Sequence, residues 1–262
     1  AKLGKGAPPK FQGKIVMITG GSGTIGFAIA EAFSKLGAQT ILVDKDETAL
    51  KKAVTKLGVG HAYFPIDVTE TDAADQAMLA AIQNFGGLDI LVSNAGAAHA
   101  GPMLSISNDE LRNAFELNFF SHYSFSTEAA KILKNQNRGG QILFNISKQA
   151  VNPGKNFGAY GLPKATTFFL MRQLALELGS DGIRVNGVNA DRIRSGLLTD
   201  DFISSRAKSR GVSESEYMAG NLLSKEVTAE HVADAFTSLA CAESTTGHVM
   251  TVDGGNIEAS LR

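Results

Sequence analysis

From Lys14 onward, short uninterrupted apolar runs alternate with stretches in which apolar residues recur at helical spacing. KIVMITG is an apolar run closed by glycine, and after it Ile25, Ile29, Phe33 and Leu36 fall on one helical face before Gly37 stops the pattern. QTILVD reads as a second buried strand and residues 46–57 as a helix. HAYFPIDV, a helix over 71–85 and LDILVSNAG repeat the unit. The second half predicts a long helix over 108–134, a strand QILFNIS, a helix over 158–178, a strand IRVNGV and a final strand HVMTV. Strands that are apolar on both faces and separated by helices build a parallel sheet covered on both sides. The expected fold class is α/β, a doubly wound parallel sheet of about seven strands with helices on both faces.

No linker, low-complexity run or internal repeat interrupts this alternation, so residues 12–262 are expected to form one domain. Residues 1–11 read as a tail or linker remnant, and a start at Ala instead of Met fits a processed chain or a piece of something longer. Residues 196–223, rich in Ser, Asp and Arg, fit the alternation least and are expected to project from the carboxyl edge of the sheet as a lid.

Composition narrows the function classes. With 44% hydrophobic and 19% charged residues, the chain is neither disordered, collagen-like nor a coiled coil. Twenty-five basic against 26 acidic residues leave a net charge of -1, so neither nucleic acid nor an anionic membrane is an expected partner. No apolar run approaches the roughly 18 residues that span a bilayer, and AKLGKGAPPKFQGK contains no apolar leader core. One cysteine, Cys241, and five scattered histidines give no internal disulfide and no metal-ligand cluster, so no metal is expected and the location expected is cytoplasmic.

Candidate chemistry begins at Thr19-Gly20-Gly21-Ser22-Gly23-Thr24-Ile25-Gly26, which joins the first strand to the first helix. Glycines there allow a tight turn and close approach to a pyrophosphate, while the helix N-terminus offers amides and partial positive charge. Asp44 ends the second strand, where a carboxylate accepts hydrogen bonds from ribose hydroxyls and repels a 2′-phosphate; the plainer reading is an N-cap of the next helix.

Taken together, that loop, Asp67-Val68, Asn94-Ala95-Gly96, Asn118, Tyr160-Gly161-Leu162-Pro163-Lys164 and Val252-Asp253-Gly254-Gly255 resemble the short-chain dehydrogenase/reductase family, in the family's order and over nearly the whole chain. The resemblance implies a Rossmann-type fold and an NAD-dependent oxidoreductase that moves hydride between nicotinamide and a small hydroxyl or carbonyl substrate. It places NAD against Gly20, Ser22, Thr24, Ile25, Gly26, Asp44, Asp67, Val68, Asn94, Ala95, Gly96, Tyr160, Lys164 and Ala190. Tyr160 and Lys164, at i and i+4, share a helical face, and a neighbouring ammonium together with positive nicotinamide favours the phenolate needed for proton transfer. By the same resemblance Lys164 holds the nicotinamide ribose, and Asn118 holds a relay water in a kinked helix. The family's serine is ambiguous here: counting back from Tyr160 selects Ser147, whereas aligning Phe144-Asn145-Ile146-Ser147 selects Lys148. A hydroxyl both donates and accepts, which an ammonium does not, and this favours Ser147.

Two departures stand out. The glycine spacing is G-x-x-G-x-x-G, commoner in the nucleotide-sugar epimerase and dehydratase branch, and Ala190-Asp191 replaces the family's Pro-Gly after the sixth strand. An epimerase or dehydratase and a non-catalytic dinucleotide sensor are therefore the alternatives. More finely, NADRIRSGLLTDDF, SKQAVNPGKNFGAYGLPKA and VDGGNIEASLR resemble the dehydrogenase half of bifunctional rhamnulose-1-phosphate aldolase/short-chain dehydrogenase proteins. That likeness implies a fused aldolase domain and a substrate from rhamnose catabolism such as lactaldehyde. Gln149, Asn152, Lys155, Asn156, Arg192 and Arg194 supply donors suited to a small polar substrate, and His99 follows the Asn94-Ala95-Gly96 turn. The family also implies a homodimer or homotetramer built through the long helices.

Overall fold

The computed structural model describes residues 10–98, 100–196 and 198–256. Its strands are β1 (Ile15–Thr19), β2 (Gln39–Asp44), β3 (Ala62–Pro65), β4 (Ile90–Ser93), β5 (Gly140–Asn145), β6 (Ile183–Ala190) and β7 (Val249–Val252). The helices between and after them are α1 (Thr24–Lys35), α2 (Glu47–Leu57), α3 (Ala73–Phe85), α4 (Asn108–Phe115), α5 (Ser121–Gln136), α6 (Gly158–Leu178), α7 (Asp200–Arg210), α8 (Glu214–Met218) and α9 (Ala229–Cys241). The strands pair in parallel in the order β3-β2-β1-β4-β5-β6-β7. The chain runs outward from β1 to β3, then returns to β4 on the other side of β1, so the connections after β1 and β4 diverge. A crevice opens at the carboxyl ends of the strands there, the general position of ligand sites in such sheets.

Side-chain alternation along each strand feeds two cores. Met17, Ile41, Leu91 and Phe144 pack beneath α3, α5 and α6 with Phe125 and Met171. Val16, Ile18, Leu42 and Val92 pack beneath α1, α2 and α9 with Phe33, Leu50 and Phe236. Burial on both faces is why these strands read as unbroken apolar runs.

Several expectations shift. The helix expected over 108–134 is α4 and α5 joined through a π-helical turn, Glu116–Phe120. Helix α9 was not expected, although Val232, Ala233, Phe236, Leu239 and Ala240 form a regular buried stripe along it. Phe11, assigned to the tail, belongs to the core: its ring lies 5.1 Å from that of Phe33 and its N–H donates to the Leu36 carbonyl at 2.8 Å. The rest of the expected tail that precedes Lys10 lies outside the described residues. Within 196–223, α7 and α8 enclose a small apolar cluster of their own, Leu198, Ile203, Ala207, Tyr217 and Met218. Among the described residues, no helix is long and apolar enough to cross a membrane.

Candidate active site

Thr19 closes β1, and Gly20 turns the chain with φ +64, bringing its Cα edge against Ala95, where a Cβ would meet Ala95 Cα at 3.0 Å. A Cβ on Gly26 would overlap the Gly20 carbonyl, so the first turn of α1 packs directly on the loop. Gly23 is the N-cap of α1; no side chain caps the helix and no acidic residue stands in its first turn. The amides of Thr24, Ile25 and Gly26 consequently face the crevice with the helix dipole behind them.

Asp44 ends β2 and accepts from the Ser22 hydroxyl at 2.7 Å and the Ser22 N–H at 3.2 Å. It is not the cap of α2, because Asp46 fills that position by accepting from Ala49 N–H at 2.9 Å. Asp67 accepts from Thr69 N–H and hydroxyl and stands 3.7 Å from Lys45 Nζ. The Thr69 backbone bond leads the effects that hold its carboxyl below the ordinary value.

Asn94 knits the switch point together. Thr19 Oγ1 accepts from the N–H groups of Asn94 at 2.9 Å and Ala95 at 3.0 Å, Asn94 Nδ2 donates to the Thr19 carbonyl at 2.9 Å, and Asn145 Nδ2 donates to Asn94 Oδ1 at 2.8 Å. The carboxyl ends of β1, β4 and β5 are thereby fixed relative to one another.

Helix α6 presents Tyr160 and Lys164 on one buried face. Burial pushes the Tyr160 phenol up to about 12, while the nearby Ser147 hydroxyl works in the opposite direction. Lys164 Nζ donates to the Asn145 carbonyl at 3.0 Å, lies 3.3 Å from His122 Nε2, and stands 5.8 Å from the centre of the Tyr160 ring. Burial lowers it to about 7. In the protein by itself, burial thus favours the neutral form of both groups, and the phenolate expected from the ammonium together with positive nicotinamide draws on the cofactor's charge.

The ambiguity at the serine position has a geometric answer. Ser147 faces the phenol, whereas Lys148 Nζ turns to the loop after β6 and pairs with Asp191 at 2.7 Å. Asn118 sits in the π turn. Its Nδ2 donates to the carbonyls of Ala97 at 2.9 Å and Ala114 at 3.1 Å, its Oδ1 accepts from Ala97 N–H at 3.3 Å, and its own carbonyl accepts from Thr167 Oγ1 at 2.7 Å.

One cavity of about 900 Å³ connects these groups, running along the glycine loop, Asp44, Asp67, Val68, Asn94, Ala95 and Gly96 to Ser147, Tyr160, Lys164 and Ala190. Of the expected site residues, Ser22 and Asn118 do not line it. Among the expected substrate donors, Gln149, Asn152, Lys155 and Arg192 line it. Arg194 is turned aside into ion pairs with Asp200 and Glu226, both at 2.7 Å. His99 lies outside the described residues. Sequence reasoning missed His122, which is fully enclosed, shares a 2.6 Å hydrogen bond with Ser93 Oγ, and is held well below its ordinary pKa first by burial and then by Lys164. Its placement four residues after Asn118 on the same helical face was the available signal. Phe157, Phe202, Arg206, Arg210 and Tyr217 were missed as well, and all line the cavity.

Comparison with known proteins places this geometry in a family. Residues 20–256 match the family model described as Enoyl-(Acyl carrier protein) reductase. The chain is 34% identical to the uncharacterized oxidoreductase YuxG of Bacillus subtilis, a match that takes in 95% of this chain but 38% of that protein. It is 31% identical to the mitochondrial borneol dehydrogenase of Lavandula x intermedia, over 94% of this chain and 91% of that protein. Among solved structures, the 3-ketoacyl-(acyl-carrier-protein) reductase of Brucella melitensis complexed with NADH superposes with a TM-score of 0.86 at 25% identity, covering 94% of this chain and 99% of that one. The chain belongs to the short-chain dehydrogenase/reductase family.

Proposed function

We propose that the chain is an NAD-dependent oxidoreductase that interconverts a hydroxyl and a carbonyl on a small polar substrate. The observation that carries this reading is that Ser147, Tyr160 and Lys164, whose Nζ stands 5.8 Å from the Tyr160 ring centre, line the same cavity as the uncapped α1 N-terminus and Asp44. The residues present suit a dinucleotide. The amides of Thr24, Ile25 and Gly26 meet a pyrophosphate, and Asp44 at the end of β2 meets ribose hydroxyls and disfavours a 2′-phosphate. Lys164 and the Asn94-Ala95-Gly96 turn hold the nicotinamide end. Bound NAD supplies the hydride acceptor and a positive charge beside the phenol.

The chain's own residues handle the proton. Ser147 donates to the substrate oxygen and Tyr160 Oη takes the hydroxyl proton in oxidation or returns it in reduction. Lys164, anchored on the Asn145 carbonyl, is the amine that takes up its ammonium form as negative charge develops on the phenol. Tyr160→Phe is expected to lower kcat at least about 100-fold while NAD affinity, read by titration, stays within a few-fold. Ser147→Ala should cost far more kcat than Lys148→Ala, and NAD should surpass NADP in kcat/KM. A severe loss confined to Lys148→Ala, or equal use of NADP, overturns the assignment.

A narrower version names the substrate as lactaldehyde or a short deoxy-sugar of rhamnose breakdown, processed beside a fused aldolase. The chain spans 38% of YuxG, so that relative has room for a further domain, and the fused-aldolase version draws on this alone. Self-association through the long helices completes the reading.

A further inference from the structure

Beyond Tyr160 the cavity wall changes character. Lys148, Lys155, Arg192, Arg206 and Arg210 line it, and the carboxylate among them is Asp191. Asp191 is already shared, 2.7 Å from Lys148 Nζ, 3.6 Å from Arg192 Nε and 3.0 Å from Asn256 Nδ2. Among the described residues, no carboxylate lies within ion-pair distance of Lys155, Arg206 or Arg210.

Arg206 is the most constrained of these. Its guanidinium lies 5.7 Å from the centre of the Phe157 ring and 5.8 Å from that of Phe202, and the two rings meet edge-on at 5.9 Å. Its Nε is shielded from solvent and has no hydrogen-bond partner among the described residues. A buried donor without an acceptor carries a desolvation penalty that is relieved when an acceptor arrives. Phe157 is the N-cap of α6 and its carbonyl accepts from Tyr160 N–H at 3.1 Å, so Arg206 stands one aromatic ring away from the residue that carries the proton. Beside it, Arg192 at 4.8 Å and Arg210 at 5.2 Å flank the Tyr217 ring. Arg192 keeps a left-handed backbone, φ 51, and is braced by Nη1 donating to the Tyr217 carbonyl at 2.6 Å. Such a conformation in a residue with a Cβ is strained and persists where surrounding structure enforces it.

Resting on the dehydrogenase reading of Tyr160, we infer that the substrate is an anion: a hydroxy or oxo compound whose carboxylate or phosphate is received by Arg206, packed against Phe157 and Phe202, while Ser147 and Tyr160 hold the reacting oxygen. A guanidinium packed against two rings offers its fork of N–H groups to either oxyanion, and desolvation by the rings strengthens the bond. A neutral three-carbon aldehyde leaves that fork unmatched, so this inference replaces lactaldehyde by an anionic compound while keeping the small polar substrate class.

The test is steady-state turnover with NAD of matched pairs, propane-1,2-diol against lactate and glycerol against glycerol 3-phosphate, with lactaldehyde as a further neutral compound. The carboxylate and phosphate arms separate the two oxyanions. At least one anion is expected to exceed its neutral partner about 10-fold or more in kcat/KM; Arg206→Gln should abolish that preference and Arg206→Lys should keep part of it. Equal or better use of the neutral members, with Arg206→Gln altering both members of a pair alike, overturns the inference and leaves the dehydrogenase reading intact. Should no compound be turned over, that reading fails by itself. Calorimetric titration with inorganic phosphate and with malonate then decides the subsite: binding lost in Arg206→Gln upholds it, and absence of binding to the wild type overturns it.

Discussion

Between pH 7 and 10.5, Lys164 is largely neutral in the folded chain and protonated in the unfolded one, because burial lowers it to about 7 from the ordinary 10.5. The unfolded state then binds the extra proton, so this residue makes stability rise with pH through that window. Lys164→Met, which removes the titrating group at similar length, forgoes the bonds to Asn145 and His122 at every pH but also the cost of burying charge. Relative to wild type, the variant is expected to fare best at and below pH 7 and progressively worse toward pH 10.5, as read by urea unfolding of the cofactor-free chain. A difference independent of pH contradicts the assignment. The Tyr160 and Lys164 pair was legible in the sequence because both residues lie within one helical turn. His122 and Thr167 were not, since their partners stand far along the chain: Ser93 is 29 residues from His122, Lys164 is 42, and Asn118 is 49 from Thr167. Contacts that exist only after the sheet has assembled leave no local spacing to read.

At the scale of elements, the alternation of apolar runs and helical stripes carried almost everything that positions the site, because a strand buried on both faces and an amphipathic helix each have a local signature. The π turn Glu116–Phe120 had none: one added residue changes the hydrogen-bond ladder without disturbing the apolar spacing over a few turns. Helix α9 did have a signature, the stripe Val232, Ala233, Phe236, Leu239 and Ala240, which the sequence reading left unassigned. The π turn is tied to the site from two sides, by the Asn118 amide on the Ala97 backbone and by the Thr167 hydroxyl on the Asn118 carbonyl. Thr167→Val keeps the volume and removes that last donor, leaving a buried carbonyl unmatched. A loss of about 1–3 kcal/mol in unfolding free energy is expected. Because Asn118 braces the loop that carries Gly96, kcat should fall too. Unchanged stability would show that the carbonyl finds another donor.

For the whole molecule, α6 faces two ways. Tyr160, Lys164, Thr167, Met171, Leu174 and Leu178 are buried along one side. Leu162, Phe169 and Leu176, spaced by seven residues, stand 47%, 67% and 79% exposed along the other. Near the start of α5, Phe119 stacks against Phe120 and Tyr123, and the latter two are about half exposed. Large apolar side chains arranged as a stripe lose little by leaving water together, and full burial of each contributes about 1.5–3 kcal/mol. The expected consequence is self-association of the chain through these helices, with a dimer or tetramer mass in multi-angle light scattering. Phe169→Glu combined with Leu176→Glu places charge in the stripe and should yield monomers that keep the far-ultraviolet dichroism of the wild type. A wild-type chain that is monomeric at micromolar concentration, or a double variant of unchanged mass, defeats this reading. If assembly holds, the same helix that aligns the phenol and the ammonium on its inner face is clamped from its outer face. The dissociated variant should then lose kcat more than it gains KM, since the position of Tyr160 against Ser147 depends on how firmly α6 is held.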